Sequence, residues 1–149
     1  NNPEQRNFVK KVKAKTGLQI VSLLHLDDYI PSDENFPDKA PYNVGPGEFL
    51  NYIRNAQYVF TDSFHCSVFS ILYKKSFFTF KRFNEKAKQN TNTRIDNLLK
   101  ITSLSYRGIS TNSSIEKILS IPNEFTTTEE RLKILRDSSI NYLINSLKE

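Results

Sequence analysis

The chain has 149 residues, a net charge of +5, 11 Phe, 7 Tyr, no Trp and one cysteine. That length makes one domain with a real core. Its apolar runs stay short of the roughly 20 residues of a membrane span, and a lone Cys66 excludes an internal disulfide and fits a reducing, cytoplasmic setting. The lysines are dispersed and form no aromatic-basic platform, so the charge suits solubility and a small anionic ligand rather than nucleic acid.

The chain has no Met and opens on Asn1-Asn2-Pro3, directly before helical sequence. This pattern reads as an internal piece of a longer protein, with a preceding strand and an N-terminal domain expected outside it. Pro3 to Thr16 reads as a helix, with Phe8, Val9 and Val12 on its apolar face and Gly17 at its C-terminal cap. Leu18 to Leu24 reads as a strand; its nearly continuous apolar run suits a sheet buried on both faces. His25 to Asn43 holds Pro31, Pro37 and Pro41 among five acidic residues, and reads as a long loop, either functional or simply solvated. Gly45-Pro46-Gly47-Glu48 opens the next helix, with Pro46 at its first position and Glu48 at its positive end. Phe49, Leu50, Ile53 and Ala56 form its inner face.

Tyr58-Val59-Phe60 is a short β-branched and aromatic run, expected as a buried strand. The pattern then changes to helical spacing at Phe64, Val68, Ile71 and Leu72. The change falls at Asp62-Ser63, both good N-cap residues. A helix that opens past the C-terminal end of a parallel strand is where open α/β sheets bind ligands, and its free N–H groups favour an anion. His65 falls in that first turn. Ser63, Ser67, Ser70 and Lys74 share one face; Ser63 and Ser67, at the helix start, are the hydroxyls placed to meet a ligand, and small-residue packing is the other reading. Cys66 is a packing residue or, less simply, a thiol activated by the helix end. His25 ranks as structural. The two histidines, one cysteine and scattered acids show no metal-ligand spacing.

Phe77 to Phe80 reads as the next strand, parallel to the first. Lys81 and Arg82 follow at its C-terminal end, on the same sheet edge as His65. Asn84 to Thr93 is polar and reads as a mobile loop, a candidate lid. Thr93 to Leu104 is helical, and Arg94 at its start opposes the helix dipole, which suggests a purpose other than helix stability. Tyr106 to Ile109 is a short extended piece or turn. A short helix spans Ser113 to Leu119. Thr127 and Glu130 make a capping box for a last helix with Leu132, Leu135, Ile140, Leu143 and Leu147 as its stripe.

The order Pro46-x-Glu48-Phe49-Leu50, Ile53-x-x-Ala56, Val59-x-Thr61-Asp62-Ser63-Phe64-His65 and Phe69-Ser70, followed by Lys75-x-Phe77, Thr93-Arg94-Ile95 and Leu98-Leu99, resembles the C-terminal half of the polysaccharide pyruvyl transferase family. The likeness is close from Asn43 to Arg107 and looser before it. It implies a Rossmann-like domain of a two-domain enzyme of the GT-B type. The implied activity moves a pyruvyl group from phosphoenolpyruvate to a sugar, as a ketal, in building a cell-surface polysaccharide. Many members carry Arg-Leu-His where this chain has Ser63-Phe64-His65, and that arginine and histidine are taken to serve the donor. His65 keeps the histidine. Ser63 replaces the arginine and Cys66 the usual glycine, so Lys81, Arg82 and Arg94 are the cations left to meet the donor.

The expectation is therefore an α/β, Rossmann-like three-layer domain with a mainly parallel sheet, spanning residues 1–149 as the C-terminal half of a larger transferase, inactive on its own. His65 is the expected acid/base. Ser63, Ser67, Gly45, Glu48, Lys81, Arg82 and Arg94 are expected to line the substrate pocket. No cofactor is expected beyond phosphoenolpyruvate as co-substrate. The acceptor is a saccharide or its lipid-linked precursor, with peripheral membrane contact but no transmembrane segment. Two other readings are a glycosyltransferase using a nucleotide sugar, with Glu48 near the ribose, and a non-catalytic module that kept the fold.

Overall fold

The computed structural model describes residues 2–23, 30–80 and 92–148. Helix α1, Pro3–Thr16, begins where Asn2 accepts a hydrogen bond from the Glu4 amide, with Pro3 in the first turn. It stops at Gly17, whose φ of 70° is the left-handed turn that a side chain disfavours. Helix α2, Pro46–Asn55, leads into strand β1, Val59–Thr61. Helix α3, Phe64–Leu72, follows, then strand β2, Phe77–Phe80. Helix α4, Asn92–Ile101, precedes strand β3, Gly108–Ile109. Helices α5, Ile115–Leu119, and α6, Thr126–Ser146, complete the order.

The sheet runs β1-β2-β3 and is parallel throughout, with Val59 opposite Phe77 and Phe80 opposite Ile109. Alternation along the strands sorts the side chains into two cores. Val59 and Phe77 pack with Ile53, Cys66, Ile71, Ile95 and Leu99, under α2, α3 and α4. Phe78, Phe80 and Ile109 pack with Phe8, Val12, Ile115 and Ile118, under α1 and α5. Helices thus cover both faces, which gives the expected Rossmann-like three-layer arrangement. The second core is strongly aromatic, with Phe8 edge-on to Phe80 at 5.6 Å and Phe60 stacked on Phe78 at 5.6 Å.

Three sequence expectations are corrected. Leu18 to Leu24 does not join the sheet, so far as its described residues 18–23 show. The Ile20 carbonyl accepts from the Asp38 and Lys39 amides, the Ser22 amide donates to the Lys39 carbonyl, and Val21 makes one isolated parallel bridge to Lys39. The backbone is claimed from outside, so Val21 and Leu23 stay 43% and 40% exposed. The capping box is absent as well. Helix α6 opens one residue before Thr127, no side chain caps it, and the Thr128 hydroxyl donates instead to the Thr102 carbonyl at 2.8 Å. The stripe of α6 is the third: Leu135, Ile140, Leu143 and Leu147 are exposed, and only Leu132 packs on the core.

The proline-rich loop is tied to α1 where it is described. Arg6 pairs with Asp33 and lies 5.7 Å from the Phe36 ring centroid, and Lys13 pairs with Asp38 at 2.5 Å. His25 and the loop 84–91 lie outside the described residues.

Candidate active site

In a parallel sheet covered by helices, each connecting helix begins at the C-terminal edge of the strands and returns toward the N-terminal edge. The starts of α2, α3 and α4 therefore gather on one edge. The best-defined of the three is the β1–α3 turn. The Thr61 hydroxyl accepts from the Ser63 amide at 3.0 Å and holds the turn. Ser63 is the N-cap, with its hydroxyl accepting from the Cys66 amide at 3.4 Å. The helical ladder has no acceptor for the first-turn amides of Phe64 and His65. These N–H groups, with the helix dipole, make the mouth of α3 favourable to an anion.

His65 is exposed in that first turn. Its ring stands edge-on to Phe64, 5.7 Å between centroids. The guanidinium of Arg94, from the first turn of α4, lies 4.5 Å from the centroid of the same Phe64 ring. Phe64 is thus a shared platform that sets an imidazole and a fixed cation beside one helix mouth. A cation at the start of α4 is unfavourable for that helix, and the aromatic face compensates it. This answers why an arginine sits there.

The remaining expected residues divide. Ser67 is fully buried, and its hydroxyl donates to the Ser63 carbonyl at 2.9 Å. It steadies the cap from beneath and presents no hydroxyl to the edge. Ser70 does the same one turn on, donating to the Cys66 carbonyl at 2.8 Å. The polar face of α3 is therefore a packing face. Gly45 and Glu48 form a self-contained turn at the start of α2. The Glu48 carboxylate folds back so that a β-carbon on Gly45 would meet its Oε2 at 2.8 Å. A side chain at Gly45, whose φ of -76° suits any residue, would only have to push this flexible carboxylate aside, and the carboxylate lies at its own helix N-terminus. Lys81 and Arg82 lie outside the described residues, directly after β2.

Cys66 is buried, and burial pushes its thiol above the usual range, the reverse of an activated nucleophile. It fills a small position in the core beneath α3. Among the described residues no three His, Cys, Asp or Glu side chains gather as a metal site. Two residues have roles the sequence did not reveal. Phe64 reads as an ordinary core position by its spacing, yet its ring contacts both His65 and Arg94. Arg107 reads as a turn residue but is fully buried, donating to the Phe77 carbonyl at 3.2 Å and the Pro122 carbonyl at 3.4 Å among the rings of Phe77, Phe78, Tyr106 and Phe125. No sequence signal separates such an arginine from a surface one.

No helix among the described residues is long and apolar enough to cross a membrane. The chain matches no curated protein and no solved structure. Residues 1–82 match the family profile described as polysaccharide pyruvyl transferase. The match takes in α1 through β2, reaches back to residue 1 and stops before α4, so Arg94 lies beyond it. It spans more than half of the chain and contains the whole β1–α3 turn with His65: the chain belongs to the polysaccharide pyruvyl transferase family.

Proposed function

We propose that this chain forms the donor-binding part of a transferase that moves pyruvyl from phosphoenolpyruvate to a sugar of a cell-surface polysaccharide or its lipid-linked precursor. The family supports the transferase class and a saccharide acceptor. The observation that carries the donor assignment is the exposed His65 in the first turn of α3, with Arg94 held beside it on Phe64.

Phosphoenolpyruvate brings a phosphate and a carboxylate. One anion meets the open amides of Phe64 and His65, and the other meets Arg94. Ketal formation delivers a proton to the methylene carbon of the enol. A sugar hydroxyl then forms a C–O bond at the adjacent carbon, the C–O bond to phosphate breaks, and a second hydroxyl of the same sugar closes the ketal. The hydroxyl protons are taken up by the departing phosphate and by a base. His65 is the group that gives or takes the proton, since an imidazole does either near neutral pH. The helix mouth and Arg94 stabilise the charge that collects on the leaving phosphate. Cytoplasmic phosphoenolpyruvate is the matching donor pool, and a facing domain supplies the acceptor side of a GT-B-like cleft.

The test is calorimetric titration of the chain with phosphoenolpyruvate, inorganic phosphate and a nucleotide sugar. Saturable phosphoenolpyruvate binding that is lost in His65→Ala and weakened in Arg94→Ala, with both variants keeping the wild-type melting temperature, is the expected result. Binding of the nucleotide sugar alone, or phosphoenolpyruvate binding indifferent to both substitutions, overturns the assignment.

A further inference from the structure

A cavity of about 390 Å³ lies between α4 and the ends of β2 and β3. Two small residues make the room. Thr79 and Gly108 are paired neighbours in the sheet, and a β-carbon on Gly108 would come within 3.5 Å of Leu99 on α4. A larger side chain there would fill the layer between sheet and helix; glycine leaves it open. Thr79 and Leu99 are buried at the floor. Asp96 and Lys100, exposed and one helical turn apart, stand on the α4 rim, with exposed Ser105 on the rim beside β3. Among the described residues, none of these three side chains has an ion pair or a hydrogen bond.

The rim carries one negative and one positive charge, so it favours a neutral ligand. An anion would meet Asp96, and a metal ion would meet Lys100 with a single carboxylate to hold it. A polyhydroxylated ring suits the set: the carboxylate accepts from its hydroxyls, the ammonium donates to its oxygens, and Ser105 does either. The apolar floor meets its C–H face, and the volume lies in the range of roughly 300–1,000 Å³ usual for small-molecule sites. We infer that this cavity is a subsite for one neutral sugar ring, a neighbour along the acceptor of the sugar that receives pyruvyl. The place in the acceptor rests on the proposed reaction; the sugar site does not. Arg94 and Asp96 are two residues apart on α4, about 200° around the helix. Arg94 lies on Phe64 of α3, while Asp96 lines the cavity toward β3. The helix thus separates the donor cation from the subsite by about its own 10 Å width. A ring held in the cavity is too far away to react, but its linked neighbour can reach the donor.

The test follows the backbone amide resonances of Ser105 and Gly108 by NMR in the whole chain. Glucose, galactose, mannose, N-acetylglucosamine, lactose and cellobiose are added in turn, with phosphoenolpyruvate and adenosine as separate arms. Saturable shifts at both amides with at least one of the sugars are expected. Asp96→Ala should weaken that binding about tenfold, the worth of one hydrogen bond to a charged group. Gly108→Val, at a φ of -76° open to any residue, should abolish it by filling the cavity. Asp96 is exposed, so Asp96→Ala keeps the wild-type melting temperature and carries the test if Gly108→Val does not fold. Sugar binding here without any binding of phosphoenolpyruvate would remove the donor assignment and keep the subsite. The proposal is overturned by no saturable shift with any of the six sugars, or by sugar shifts that Asp96→Ala leaves unchanged. Saturable shifts at these amides with phosphoenolpyruvate or adenosine in place of the sugars overturn it as well.

Discussion

Helix α3 has nine residues and buries Cys66, Ser67, Ser70 and Ile71. Helix α6 has 21 and buries only Thr128 among those described. The short helix lies between two strands, β1 and β2, and two other helices, so packing holds it. The long helix leaves the core after Leu132 and continues with Ile134, Leu135, Ile140, Leu143, Ile144 and Leu147 exposed. Length and apolar content do not make an element structurally central. What counts is whether another layer lies against it, because most helical stability in proteins comes from such packing.

Core truncation gives the largest expected break in that comparison. Phe77 is 0% exposed in the core beneath α3. Phe77→Ala should cost about 3–5 kcal/mol by urea denaturation. Leu143→Ala on α6 should stay within about 0.5 kcal/mol. Arg107 comes next. Arg107→Ala should cost about 2–4 kcal/mol through the lost volume and the two carbonyls left unpaired, and Arg107→Met should recover more than half by refilling the space. That recovery separates packing from charge, since burial already pulls the Arg107 guanidinium below its ordinary range.

The cap of α3 sharpens the comparison from the other side. Ser63→Ala should lower stability by about 0.5–1 kcal/mol, at the modest end because the capping bond is long at 3.4 Å, whereas Ser63→Gly should cost only a few tenths. The smallest effect is a pH effect. Lys15 donates a hydrogen bond to Glu116 and draws its carboxyl from an ordinary 4.5 down to about 2. A carboxyl lowered in the folded state stabilises it above the unfolded value and loses that contribution as the pH falls through the folded one. The melting-temperature difference between the wild-type chain and Glu116→Gln should therefore be small at pH 6 and vanish by about pH 2. Asp38, lowered chiefly by its hydrogen bond from Lys13, should behave in the same sense.

The sequence showed most of the framework. Pro3, Gly17, Pro46 and Ser63 mark helix ends through local backbone chemistry, which needs no distant partner. The strand at 18–24 misled because an apolar run does not say which neighbour will take its backbone; here Asp38 and Lys39 take it from outside. Ser67 misled because helical spacing places a hydroxyl on a face without saying whether that face is covered. His65 was legible as a candidate, since its position depends only on where a strand gives way to a helix.

By itself, then, the sequence determined the local elements, the family and the turn that presents His65. These depend on contacts between near neighbours and on a pattern more than eighty residues long that one family shares. Only the tertiary structure decided that Arg94 reaches the same turn through Phe64, that Arg107 is sealed inside, and that β1, among the described residues, pairs with β2 alone. Each of these joins residues far apart in the chain, and burial, hydrogen bonding and charge act through space rather than along the backbone.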